Sequence, residues 1–150
     1  MFCSRRMNRK INYVHERSLR LVYRDYVSTY TQLLRMDNSL SFHHRNIHNV
    51  AIELFKVKKD LSPSFMKEIF VYDETKDKFN RPNVRLVNMG EQSLRSFRPV
   101  IWNTMLPQDV KSKPNLSQFK SALESWIPDN CHCKLCKTYV PGLGYVELFE

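Results

Sequence analysis

Arg6, Arg9, Lys10, Tyr13, Arg17, Arg20 and Arg24 recur at steps of three and four residues. That spacing stacks side chains on one face of a helix. Cations and an aromatic ring on a single arc suit a polyanion: guanidinium forks grip phosphate oxygens, and a tyrosine ring offers a stacking face. Contacts of this kind release condensed counterions, so the affinity they supply falls with salt. The competing reading is the solvated side of an amphipathic helix. The scarcity of acids on the arc favours the polyanion, because Glu16 and Asp25 fall elsewhere on the helix.

A second chemistry resides in Cys131, Cys133 and Cys136, with His132 between the first two thiols. Thiolates and an imidazole this close in sequence are soft ligands, and structural zinc takes four of them. The spacing is not a pair of CxxC units, and free thiols in a tail compete with a zinc site. No other cofactor is expected. His43, His44 and His48 form a further cluster, with His44 and His48 four apart on one helical face. They border the apolar positions Ala51 and Phe55, so packing is expected of them rather than ligation.

Catalysis is not expected. Two-metal polymerases and nucleases need converging carboxylates. Asp73 and Glu74 stand in a polar connection, and Asp25, Asp37, Asp60, Asp109 and Asp129 fall mostly at caps and turns, where Asp usually has a local hydrogen-bonding role. Gly90, Gly142 and Gly144 are the only glycines, which excludes glycine-rich phosphate loops.

The elements that position these residues read as mainly α: a small bundle of five to six helices, a short β-hairpin, and an irregular cysteine-bearing tail. A first helix is expected over about Arg5 to Val27, burying Ile11, Val14, Ser18, Leu21 and Val22 opposite the cationic arc. Ser28 is a cap for a short second helix through Leu33 and Leu34, ended by Asp37-Asn38-Ser39. A third, from near Ser41 to about Lys58, would bury Ile47, Val50, Ala51, Leu54 and Val57. Ser62-Pro63 opens a fourth helix holding Phe65, Met66, Ile69 and Phe70, with Pro63 at its first position. Residues 73–83 read as an exposed connection. Val84–Val87 and Ser93–Phe97 alternate around Asn88-Met89-Gly90 as a hairpin. Pro99 opens a helix with Val100, Ile101, Trp102 and Met105, closed by Pro107. Asn115 caps the last, with Leu116, Phe119, Leu123, Trp126 and Ile127 on one side until Pro128. The expected organisation is a helical domain over 1–128 and a tail over 129–150.

Composition sets bounds. The chain has 150 residues, 42% hydrophobic, enough for a modest core. Its 24 Lys+Arg against 15 Asp+Glu give a formal net charge of +9, which favours acidic partners such as RNA or DNA. Arg5-Arg6 follow Met1-Phe2-Cys3-Ser4 at once, and no apolar run suits a signal peptide or membrane span. An intracellular residence, nuclear or cytoplasmic, is expected, with thiols reduced or metal-bound and no membrane partner.

Read as a whole, the chain resembles the region that follows the polymerase domain in animal non-LTR (LINE-like) retrotransposon proteins. The resemblance runs in order through Met1-Phe2-Cys3-Ser4-Arg5, Lys10-Ile11-Asn12-Tyr13-Val14-His15-Glu16-Arg17, Leu19-Arg20-Leu21-Val22-Tyr23, His43-His44-Arg45-Asn46-Ile47 and Ala51-Ile52-Glu53-Leu54-Phe55-Lys56-Val57. It continues through Leu61-Ser62-Pro63, Arg81-Pro82-Asn83-Val84-Arg85, Pro99-Val100-Ile101-Trp102-Asn103, Trp126-Ile127-Pro128 and the segment from Cys131 to Lys137. It implies a parent protein with an endonuclease and a Tyr/Phe-x-Asp-Asp polymerase centre. This sequence contains neither, so reverse transcription is not carried over. Two alternatives stand beside nucleic-acid binding: a helical interaction module that originally packed on the polymerase core, motivated by the buried stripes and the aromatic content, and an expressed remnant with no selected activity. Departures are a connection over 73–80 shorter than the family's, Arg98 where glycine is common before the proline, and His132 in place of a frequent proline.

Overall fold

The computed structural model describes residues 5–82, 94–126, 139–140 and 144–145; side chains are described for 9–82, 95, 98–126. The chain is mainly helical. Its elements are α1 (Arg5–Tyr23), α2 (Tyr30–Met36), α3 (Phe42–Lys58), α4 (Ser64–Ile69), β1 (Tyr72–Asp73), β2 (Lys78–Phe79), α5 (Leu94–Val100), a π-helical turn (Ile101–Met105), α6 (Gln108–Lys111), α7 (Leu116–Glu124), β3 (Tyr139–Val140) and β4 (Gly144–Tyr145). β1 pairs antiparallel with β2, and β3 with β4. The chain forms two compact units, one of residues 47–124 and one of 2–46 with 125–150.

Three helices stop without glycine. Arg24, Asn38 and Asp60 take φ values of 52°, 51° and 59°. In each case the next amide reaches back to a carbonyl of the last turn: Asp25 N to Arg20 O, Ser39 N to Leu34 O, and Leu61 N to Lys56 O. This is the left-handed helix stop that glycine usually supplies, and it satisfies carbonyls that would otherwise be orphaned. α1 therefore ends four residues before Val27. Asp25 then organises the exit by accepting from Val27 N, Ser28 N and the Ser28 hydroxyl.

Thr29, not Ser28, caps α2. Its side chain accepts from Gln32 N while the Gln32 side chain accepts from Thr29 N, a reciprocal capping box. Asn115 caps α7 as expected, its Oδ1 accepting from Gln118 N at 2.9 Å. Pro63 stands at the cap position of α4 rather than at its first helical residue.

In the unit of residues 47–124, α3 buries Ile47, Val50, Ala51, Leu54 and Val57, the expected stripe, together with Phe55. An aromatic stack builds outward from it. Phe55 and Phe119 lie 4.2 Å apart, Trp102 stacks on Phe119 at 6.1 Å, and Phe79 meets Trp102 edge-on at 5.5 Å. Rings at these separations add to the stabilisation from their buried area.

The β1–β2 hairpin occupies what the sequence presents as an exposed connection. Lys58 holds Asp77 at 2.7 Å, and its ammonium lies 5.1 Å from the Tyr72 ring centroid and 5.2 Å from that of Trp102. The Tyr72 hydroxyl and the Gln108 amide also donate to the Asp77 carboxylate. The expected return strand Ser93–Phe97 is corrected: Leu94–Phe97 are the first residues of α5. Residues 84–90 lie outside the described residues. Pro99 sits inside α5 rather than opening a helix, where it lacks an N–H and crowds the carbonyl four residues back. The following turn is π-helical, with Leu106 N bonded to Ile101 O at 3.0 Å.

In the other unit, Leu19, Leu33 and Leu34 form the core, with Tyr30 against them. Buried His44 directs Nε2 to the Trp126 carbonyl at 3.3 Å. His48, in the first unit, is also buried. Both behave as packing residues.

Candidate nucleic-acid interface

α1 carries the cationic arc, and its roll about its axis decides what the arc faces. The buried residue is Leu19, 5% exposed; Ile11, Asn12, His15, Glu16 and Arg20 are half-buried beside it. Val14, Leu21 and Val22 are 63%, 68% and 72% exposed. The expected buried face is thus corrected: of Ile11, Val14, Ser18, Leu21 and Val22, only Ile11 is partly covered. The reason lies in the partner. α2 is short and offers Leu33 and Leu34 to a single leucine, while polar contacts fix the roll. His15 Nδ1 and the Tyr30 hydroxyl are 2.8 Å apart, and the Tyr23 hydroxyl donates to Asp37 at 2.9 Å. Aligning these hydrogen bonds turns three apolar side chains outward.

The outward face is therefore cationic and apolar together. Arg9, Lys10, Tyr13, Arg17 and Arg24 are exposed. The Arg17 guanidinium lies over the Tyr13 ring at 5.5 Å, which orders both groups without neutralising the charge. Among the described residues, none of Arg9, Lys10, Arg17 and Arg24 is ion-paired with an acid. Arg20 differs. Its Nη2 and Nε both donate to Glu16 Oε1, at 2.6 and 3.2 Å, so its charge is spent inside the helix. Arg6 is in α1, but its side chain lies outside the described residues.

A groove of about 410 Å³ adjoins this face, between α1 and the start of α3. Ile11, Val14 and Phe42 supply its apolar lining, and Lys10 and Arg45 its charge. Burial, then the nearby Arg45 charge, push the His15 pKa below its ordinary value, against a weaker upward pull from Asp37. The groove has no simple signature in sequence, because it joins residues thirty positions apart.

Cys131, His132, Cys133 and Cys136 lie outside the described residues. Among the described residues, no group of three His, Cys, Asp or Glu is arranged to hold a metal ion, and no helix is long and apolar enough to cross a membrane. The carboxylates nearest the hairpin have local partners: Asp73 accepts from Thr75 and Lys76 amides, and Asp77 holds the Lys58 cluster.

No family model, curated protein or solved structure matches the chain.

Proposed function

We propose that this chain is a non-catalytic nucleic-acid-binding module, related to the region downstream of the polymerase in non-LTR retrotransposon proteins, and that it resides in the nucleus or cytoplasm. The observation that carries the reading is the exposed set Arg9, Lys10, Arg17 and Arg24 around Tyr13, with no acid paired to any of them among the described residues. Cations so placed track a sugar–phosphate backbone, and the ring supplies a sequence-tolerant stacking face. The engagement of Asp73 and Asp77 in turn and hairpin contacts supports the non-catalytic part of the reading.

Affinity for mixed-sequence single-stranded RNA across a salt series tests it. Four neutralised phosphates give a log–log slope of about −3, and replacing Arg17 and Arg24 together by alanine would flatten it. Absence of binding at low salt rejects the proposal.

A second reading rests on exposed Val14, Leu21 and Val22. A helix face that is apolar as well as basic also suits a protein surface, here the polymerase core of a parent element. A chain that aggregates alone and becomes soluble with a polymerase fragment would favour this second role.

A further inference from the structure

The groove and the cationic arc share Lys10, which belongs to the exposed set on α1 and also lines the cavity. A strand whose phosphates lie along Arg17 and Lys10 passes the mouth of the groove. We propose that the groove receives a single nucleobase turned out of a single-stranded nucleic acid, so that the module prefers single strands to duplexes. The inference rests on the nucleic-acid reading above and specifies its ligand.

Each wall suits a base. Ile11, Val14 and Phe42 give apolar surface to the flat faces of the heterocycle, and unstacked bases are commonly held on such side chains. His15 gives a polar edge. Its Nδ1 is committed to Tyr30 at 2.8 Å, and Nε2 has no partner among the described residues. Whichever tautomer is present, that atom offers one hydrogen bond to a base edge. Lys10 and Arg45 bring positive charge to the groove, which complements the phosphates on either side of an inserted base and disfavours a neutral apolar occupant. The volume, about 410 Å³, is in the range of small-ligand pockets. A duplex would have to unpair and unstack to deliver a base, which generates the preference.

Ser18 makes the proposal testable without touching a charge. Its hydroxyl is turned onto its own helix, donating to the Val14 carbonyl at 3.0 Å, so its contribution to the groove is small size. It is exposed, so Ser18→Phe fills the groove with little risk to folding. The experiment measures binding of the full chain to a short mixed-sequence RNA and to its duplex, with one 2-aminopurine in the strand reporting on stacking. Expected are a preference for the single strand of about tenfold or more, a change in 2-aminopurine emission on binding, and loss of both in the Ser18→Phe chain with duplex affinity kept. Equal affinity for strand and duplex in the parent chain, or a preference that survives Ser18→Phe, overturns the inference and leaves backbone binding standing. No binding of either at low salt removes the nucleic-acid reading itself, and the base pocket with it. Competition by anionic phospholipid vesicles that Ser18→Phe abolishes would assign the groove to lipid and also overturn it.

Discussion

Arg20 and Glu16 meet at 2.6 Å one turn apart on α1, and a second contact at 3.2 Å makes the guanidinium straddle one carboxylate oxygen. Arg17, three residues earlier on the same helix, has no acidic partner among the described residues and lies over Tyr13 instead. Two arginines that the sequence places on one arc therefore differ in available charge. Arg17→Ala is expected to lower the magnitude of the log–log salt slope for RNA binding by about 0.7 to 0.9. Arg20→Ala should leave that slope unchanged and instead cost about 0.5 kcal/mol of helix stability. Titrations at several salt concentrations beside thermal melts separate the two. Equal slope losses would show that the pair opens to admit phosphate.

Arg24 holds φ at 52°, a conformation that costs a residue with a Cβ about 1 kcal/mol or more. Glycine relieves that cost. Arg24→Gly is expected to raise stability by about 0.5 to 1 kcal/mol, less than the full relief because the unfolded chain gains freedom. The same change removes a cation from the exposed arc and should weaken RNA binding. Arg24→Ala would weaken binding equally with no gain in stability. A glycine variant that is both more stable and fully competent would detach this arginine from the interface.

Legibility differed from helix to helix for physical reasons. The α3 stripe from Ile47 to Val57 was readable because one side of a long helix is buried throughout, which is the condition periodicity assumes. α1 meets that condition nowhere except Leu19. Its roll follows the His15–Tyr30 and Tyr23–Asp37 contacts, and hydrogen bonds between distant residues leave no local pattern. The β1–β2 hairpin was hidden likewise: the sequence from Asp73 to Lys78 is polar, and its anchors are Lys58, Asn103 and Gln108. The groove, assembled from α1 and α3, was illegible, while the arginine spacing that led to α1 was plain. Capping was readable at Asn115, which acts on its own first turn, but fell one residue away from the expected position at α2 and α4, where Thr29 and Pro63 hold the caps.

Asp77 joins Lys58, Tyr72 and Gln108. Burial alone would raise its carboxyl, but hydrogen bonds from Lys58, Tyr72 and Gln108 outweigh this and hold it down, from an ordinary 3.8 to about 2. The folded state then binds fewer protons than the unfolded one in that interval, so stability falls as pH falls through it. Asp77→Asn should lower the melting temperature at neutral pH. Asparagine accepts the φ of 49° at this position, so the loss reports on the carboxylate's charge and its second acceptor oxygen. The gap between parent and variant is expected to be constant above about pH 5, to shrink as pH falls through the unfolded carboxyl's range, and to close toward pH 2. A gap unchanged by acid would mean that the carboxylate contributes no pH-linked stability.

Asn103 completes the hairpin by imitating a missing strand. Phe79 forms a pair with Tyr72, and its own amide and carbonyl turn the other way, where Asn103 Oδ1 accepts from Phe79 N and Asn103 Nδ2 donates to Phe79 O, each at 2.9 Å. Asn103→Ala leaves both backbone groups of a buried residue without their partner. At about 1 to 3 kcal/mol for each of the two unsatisfied groups, the expected loss is about 2 to 6 kcal/mol, read as a lower denaturant midpoint at unchanged m-value. Aspartate discriminates further. As a carboxylate it accepts from Phe79 N but repels the carbonyl; protonated, it regains a donor and matches the amide. Asn103→Asp should therefore be no better than Asn103→Ala at neutral pH and gain on it as pH falls, with Asp77 present in both chains and cancelling from the difference. Parallel acid titrations of the two variants would reveal a bracket that works by filling space alone.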